Sequence, residues 1–143
     1  MNKLPSTKKE AILGMIGNLE SNGNYNVMVG GKEEMLTSMT VGEVLDMQEA
    51  MDGNTAAGKY QIKESSLRSL VYKPGKEEGT YSDKLRNPND FNLDTPFDEA
   101  AQEWAASALL DRRGYKEFEE GKITEEELAH RMSKEWASLP DPK

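Results

Sequence analysis

The chain has 143 residues, no cysteine, one histidine and a net charge of −8. That length suits one domain with a buried core, and the composition excludes disulfides, thiolate metal sites, a cysteine nucleophile and multi-histidine zinc motifs. The charge argues against nonspecific nucleic-acid binding, which needs clustered Lys and Arg, and no apolar run approaches the roughly 18 residues that span a bilayer.

The N-terminal stretch has Lys3 but breaks at Pro5 and a charged cluster, without the apolar core and cleavage site of a signal peptide. Synthesis in the cytoplasm is expected, with any passage outward assisted. Thr7 and Glu10 form a capping box, and Ala11, Ile12, Met15, Ile16 and Leu19 share one helical face, which predicts a first helix stopping near Gly23. Glu20 lies four residues after Ile16 and so continues the apolar stripe, at the helix pole where a carboxylate is least favoured. A carboxyl so placed is suited to donate a proton to a leaving group; the plain alternative is a surface glutamate at a frayed helix end.

Tyr25–Val29 is β-prone and Gly30-Gly31 reads as a turn. Asn22, Asn24 and Asn26 could offer amide hydrogen bonds, and Tyr25 a stacking face, to a sugar. A second capping box, Thr40 with Glu43, opens a helix carrying Val41, Val44, Leu45 and Gln48 at helical spacing. Just before it, Thr37 and Ser38 could position a water or simply cap the helix. In "AAGKYQI", Gly58 permits a tight turn; Tyr60 and Gln61 either face a cleft or are satisfied in the core. A short helix follows from about Glu64 to Val71, then an irregular stretch, 72–95, read as a surface loop beside a cleft.

Phe97 to Leu110 predicts a buried helix, and Gly114 in "DRRGY" a helix cap. A third capping box, Thr124 with Glu127, begins the last helix, "EEELAHRMSKEWASL". Trp104 and Trp136 fit core positions, and His130 a surface or half-buried one. Five or six helices and one small strand region make a mostly helical α+β domain spanning 1–143.

Five segments, "LESNGNYNVMVGG", "LTSMTVGEVLDMQ", "AAGKYQI", "FDEAAQEWAASALLDRRGYKEFEEGKIT" and "SKEWASLP", taken in order, resemble the lysozyme-like muramidases of tailed bacteriophages, including the lambda-type endolysins. The resemblance implies a lysozyme-like fold, with a helical body, a small β-region and a glycan cleft. It implies cleavage of peptidoglycan between N-acetylmuramic acid and N-acetylglucosamine, with Glu20 as the acid and Gly58, Tyr60 and Gln61 lining the cleft. It involves no cofactor or metal, no nucleic acid and no stable membrane insertion. The site of action would be the periplasm or cell wall, reached through a holin or as part of a virion. Many relatives carry a second carboxylate or a threonine soon after the acid; here no acid lies between Glu20 and Glu33. Glu33, Glu34 and Asp46 are candidates for a hydrolase's second carboxylate. Without one, Glu20 could act alone in a lytic transglycosylase, and both routes stay open. A domain that has lost catalysis and binds cell wall or virion partners is the alternative.

Overall fold

The computed structural model describes residues 7–143. They form six α-helices: α1 Thr7–Ser21, α2 Val41–Glu49, α3 Glu64–Val71, α4 Glu99–Arg112, α5 Tyr115–Glu119 and α6 Glu125–Ser133. Two short strands, β1 Tyr72–Pro74 and β2 Tyr81–Leu85, pair antiparallel, with Tyr72 opposite Leu85 and Pro74 opposite Tyr81. The class is α+β.

The sheet is not where the sequence points. Tyr25–Val29 makes only isolated bridges, Val27 with Glu33 and Met28 with Ala57, and then enters a 3₁₀ turn at Val29–Gly31. The paired strands lie inside the stretch expected to be an irregular loop. Both are largely exposed, so no apolar alternation marks them, and their turn closes through backbone bonds, Gly75 N–H to Thr80 O at 2.8 Å and Thr80 N–H to Glu77 O at 3.1 Å.

Helix starts follow local chemistry. The Thr40 box is complete: Glu43 N–H donates to Thr40 Oγ1 at 3.1 Å and Thr40 N–H to Glu43 Oε1 at 2.8 Å. Asp98 caps α4 by accepting from Ala101 N–H at 2.9 Å, which starts that helix two residues beyond the expected Phe97. The Thr124 box is half made. Thr124 accepts from Glu127 N–H, but the Glu127 carboxylate is taken by Arg131 and Lys143. The Thr7–Glu10 box needs the Thr7 side chain, which lies outside the described residues.

The buried apolar side chains form one cluster drawing on every helix. In α4 the alanines Ala101, Ala105 and Ala106 lie buried beside Leu109 and Leu110, small residues that admit close neighbours. The face of α1 is rotated from the expected one. Leu13 and Ile16 are buried while Met15 and Leu19 are 46% and 54% exposed. Leu13, Ile16, Gly17 and Glu20 share the inward face, so Glu20 does follow the buried stripe. The Lys59 stem crosses Gly17, where a Cβ would lie 2.7 Å from Lys59 Cε.

The last helix ends at Ser133, not near Leu139. Beyond it the chain turns inward so that Trp136, 1% exposed, enters the core. Its indole N–H donates to Tyr60 O at 3.1 Å. No helix among the described residues is long and apolar enough to cross a membrane.

Candidate functional site

Glu20 is half-buried at the end of α1. The helix stops just beyond it because Asn22 and Gly23 adopt left-handed backbone, φ 59° and 80°, and turn their N–H groups back to Asn18 O and Gly17 O at 3.0 and 3.1 Å. This is the glycine-terminated helix end that satisfies otherwise orphaned carbonyls. It explains the abrupt turn after an acid.

The carboxylate is held from the far end of the chain. Ser138 donates twice to Glu20 Oε2, through its backbone N–H at 3.1 Å and through its hydroxyl. Ser138 is itself placed by buried neighbours on both sides, Trp136 and Leu139, and by Asp141, which bonds His130 Nδ1 on α6 at 2.8 Å.

The segment 56–62 joins this arrangement. Ala57 and Ile62 exchange backbone bonds at 3.0 and 2.9 Å around a turn. The buried Gln48 on α2 fixes its ends by donating to Thr55 O at 2.7 Å and Ile62 O at 2.9 Å. Ser21 Oγ donates to Lys59 O at 2.6 Å. With the Trp136 bond to Tyr60 O, the turn is tied to both elements that meet at Glu20. Gln61 is left-handed at φ 48°, and its amide nitrogen donates to Gly58 O at 2.9 Å and Val27 O at 3.2 Å. Such backbone costs about 1–3 kcal/mol for a non-glycine residue and tends to occur at functional sites.

Tyr60 requires a correction. Its ring is 1% exposed and its hydroxyl donates to Glu103 Oε1 at 2.6 Å, so its side chain offers a ligand no surface. Tyr25 is drawn to the same acid, its hydroxyl donating to Glu103 Oε2 at 2.6 Å, and Lys59 Nζ donates there at 2.7 Å. The ammonium lies 5.0 Å from the Tyr25 ring centre and 5.2 Å from that of Tyr60, so one Tyr25 face is covered. Burial, reinforced by Glu103, pushes the Tyr60 hydroxyl well above its ordinary value. For Lys59 burial opposes the charge, but the bonds to Glu103 and Tyr25 outweigh it and raise the pKa. Burial likewise opposes the Glu103 charge; the bonds from Lys59, Tyr25 and Tyr60 hold its carboxyl below the ordinary value nonetheless.

Gly58 is buried and left-handed, φ 82°, and a Cβ there would meet Gln102 Oε1 at 2.3 Å. It serves the turn's geometry. Asn24 is exposed and its Oδ1 accepts from Asn26 N–H at 2.8 Å. Asn26 accepts from Thr37 N–H at 2.9 Å, which positions the 3₁₀ turn Leu36–Ser38. Neither Thr37 nor Ser38 caps α2; Thr40 does. Glu33 and Asp46 are exposed, and among the described residues the side-chain partner of Glu20 is Ser138, not a second carboxylate.

A groove of about 320 Å³ lies between α1, α5 and α6, lined by Ile12, Met15, Phe118, Leu128 and Met132 among others. None of the expected site residues lines it, and it offers too few polar groups to orient a sugar. No group of three or more His, Asp or Glu among the described residues is arranged to hold a metal ion.

No protein-family model, curated protein or solved structure matches the chain.

Sequence reasoning missed Ser138, Glu103 and Gln102. Gln102 is buried, accepts from Lys59 N–H at 2.9 Å and donates to Tyr25 O and Phe97 O, both at 3.1 Å. The one available signal was a polar pair, Gln102-Glu103, inside an alanine-rich helical run.

Proposed function

We propose that the protein cleaves the glycan strands of bacterial peptidoglycan between N-acetylmuramic acid and N-acetylglucosamine, with Glu20 as general acid. The carrying observation is the Glu20 carboxylate, held by two Ser138 donors where α1, the C-terminal segment and the Gly58–Gln61 turn converge. The resemblance to the lysozyme-like muramidases of tailed bacteriophages supports the same residue, and with it a lysozyme-like fold with a glycan cleft beside Glu20. Gln61 and Asn24 remain as contacts for the sugar; Tyr60 is withdrawn from that role. Action at the cell wall, after release through a holin or from a virion, belongs to the same proposal.

The partner of Glu20 is a serine, which favours a one-acid route over two-carboxylate hydrolysis. Glu20 gives its proton to the glycosidic oxygen as the bond to the muramyl anomeric carbon breaks. The carboxylate then takes the proton of the muramyl C6 hydroxyl, whose oxygen closes on that carbon. The product is a 1,6-anhydro sugar and no water is consumed. In the hydrolytic alternative a water held near Thr37 and Ser38 adds to that carbon.

Mass spectrometry of products from purified peptidoglycan tests both routes. An anhydro end, one water lighter than a reducing end, is expected. A reducing end would overturn the one-acid route, and no glycan product at all would leave a binding protein. Glu20→Gln should abolish cleavage with unchanged thermal unfolding, because the amide keeps the shape and loses the proton. Clearing of cell walls by that folded variant would remove Glu20 from the mechanism.

A further inference from the structure

The chain has five arginines. Three are ion-paired: Arg68 with Glu64 and Glu49, Arg113 with Glu135, and Arg131 with Glu127. The other two, Arg86 and Arg112, pair with no carboxylate among the described residues, and both converge on Ser69 in α3. Arg86 Nε donates to Ser69 O at 3.0 Å, and Arg112 Nη1 donates to Ser69 Oγ at 2.7 Å. The Ser69 hydroxyl proton is spent on Ser66 O at 2.6 Å, so its oxygen faces Arg112 as an acceptor.

We propose that Arg86 and Arg112 form a binding site for an oxyanion, a phosphate or a carboxylate, with Ser69 as the fixed point that orients both guanidiniums. Each arginine commits one N–H direction to Ser69, and a guanidinium carries five donors in a planar fork. The rest of each fork is open to oxygens of a ligand, and two forks anchored on one residue suit a group presenting several oxygens.

The juxtaposition is unfavourable without a ligand. Linked through one serine, the two donor nitrogens lie within about 10 Å, about one Debye length at 0.1 M salt, so screening does not separate them. Partial desolvation and then the Arg86 charge depress the Arg112 pKa, Arg113 adds to this, and Glu135 pulls the other way. Glu135 is already engaged by Arg113 at 3.0 Å and by the Ser66 hydroxyl at 2.7 Å. The α4 C-terminus favours a cation at Arg112; it does nothing for Arg86, which follows β2. In a chain of net charge −8, two unpaired arginines drawn together are what an anion site requires. The inference stands on its own residues and does not need Glu20 to be catalytic.

The test is NMR titration of the arginine Nε–H resonances, separately with inorganic phosphate and with sodium acetate, at constant ionic strength. Arg86 and Arg112 should shift together and saturate, with a dissociation constant of about 1–10 mM for the preferred anion, as expected for an exposed two-arginine site. Arg86→Gln should weaken binding at least about fivefold at the Arg112 resonance, whereas Arg131→Gln, at an ion-paired arginine elsewhere, should change nothing. Phosphate binding tighter than acetate assigns a phosphate-bearing ligand; acetate equal or tighter assigns a carboxylate. Shifts that do not saturate, or that survive Arg86→Gln unchanged, overturn the site. These outcomes are read without any glycan substrate, so they are independent of whether the protein cleaves peptidoglycan.

Discussion

Gly58 bears two demands at once, a φ of 82° and a backbone so near Gln102 that a Cβ would lie 2.3 Å from its Oε1. The left-handed conformation alone costs a β-carbon residue about 1–2 kcal/mol, and the amide of Gln102 cannot retreat without losing its three bonds. Gly58→Ala should therefore destabilise the fold by about 2–4 kcal/mol in urea unfolding. An unchanged midpoint would mean that the turn relaxes freely. Ser138 poses the opposite case, a residue whose loss should spare the fold. Ser138→Ala keeps the N–H donor to Glu20 and removes the hydroxyl, so peptidoglycan cleavage should fall about tenfold as the acid loses orientation. Ser138→Thr should restore most of it; equal loss in both variants would show that bulk, not the hydroxyl, matters. The place of Glu20 on the inward face of α1 was legible in the sequence because spacing from Ile16 is a local quantity. Ser138 was not, because no periodicity tells which residue meets another 118 positions away.

At the scale of elements, Glu103 binds α4 to the turn and to the 25–37 region by accepting from Lys59, Tyr25 and Tyr60. Glu103→Gln keeps the shape and removes the charge. Because the Glu103 side chain is 38% exposed, the loss at neutral pH should be modest, about 1–2 kcal/mol. The carboxyl sits below its ordinary 4.5 when folded, so its contribution is full above that value and fades as pH falls through the lowered one. The stability gap between wild type and variant should accordingly narrow below pH 4.5, measured by thermal unfolding across pH; a gap constant down to pH 2 would contradict the linkage. Elements set by neighbouring residues were readable: the Thr40 box opens α2 and α3 runs over Glu64–Val71 as expected. The hairpin was not, since Tyr81, Asp83 and Lys84 face water and only the pairing of β1 with β2 defines it. Tyr25–Val29 has strand-forming residues but finds single partners at Glu33 and Ala57, so a local preference ends in bridges.

For the molecule as a whole, the charge of −8 bears on the proposed substrate, a cell wall that is itself rich in carboxylates. Lys59 and Arg68 are consumed by Glu103 and by Glu64 and Glu49, so they do little to offset the repulsion. Raising salt from 0.01 to 0.15 M contracts the Debye length from about 30 to about 8 Å. Wall cleavage should speed up over that interval as long-range repulsion is screened. A steady fall in rate would mean that cationic contacts, with Arg86 and Arg112 foremost, control encounter.

The bond from Ser138 to Glu20 also has a meaning in time. The two residues are 118 positions apart, and at a synthesis rate of about 5–20 residues per second about 6–24 s pass between their appearance. During that interval Glu20 is without the residue that holds its carboxylate. A chain stalled before Trp136 lacks both the indole that anchors the last segment and the serine it delivers. Under the proposed mechanism, translation through these residues is the step that arms the acid.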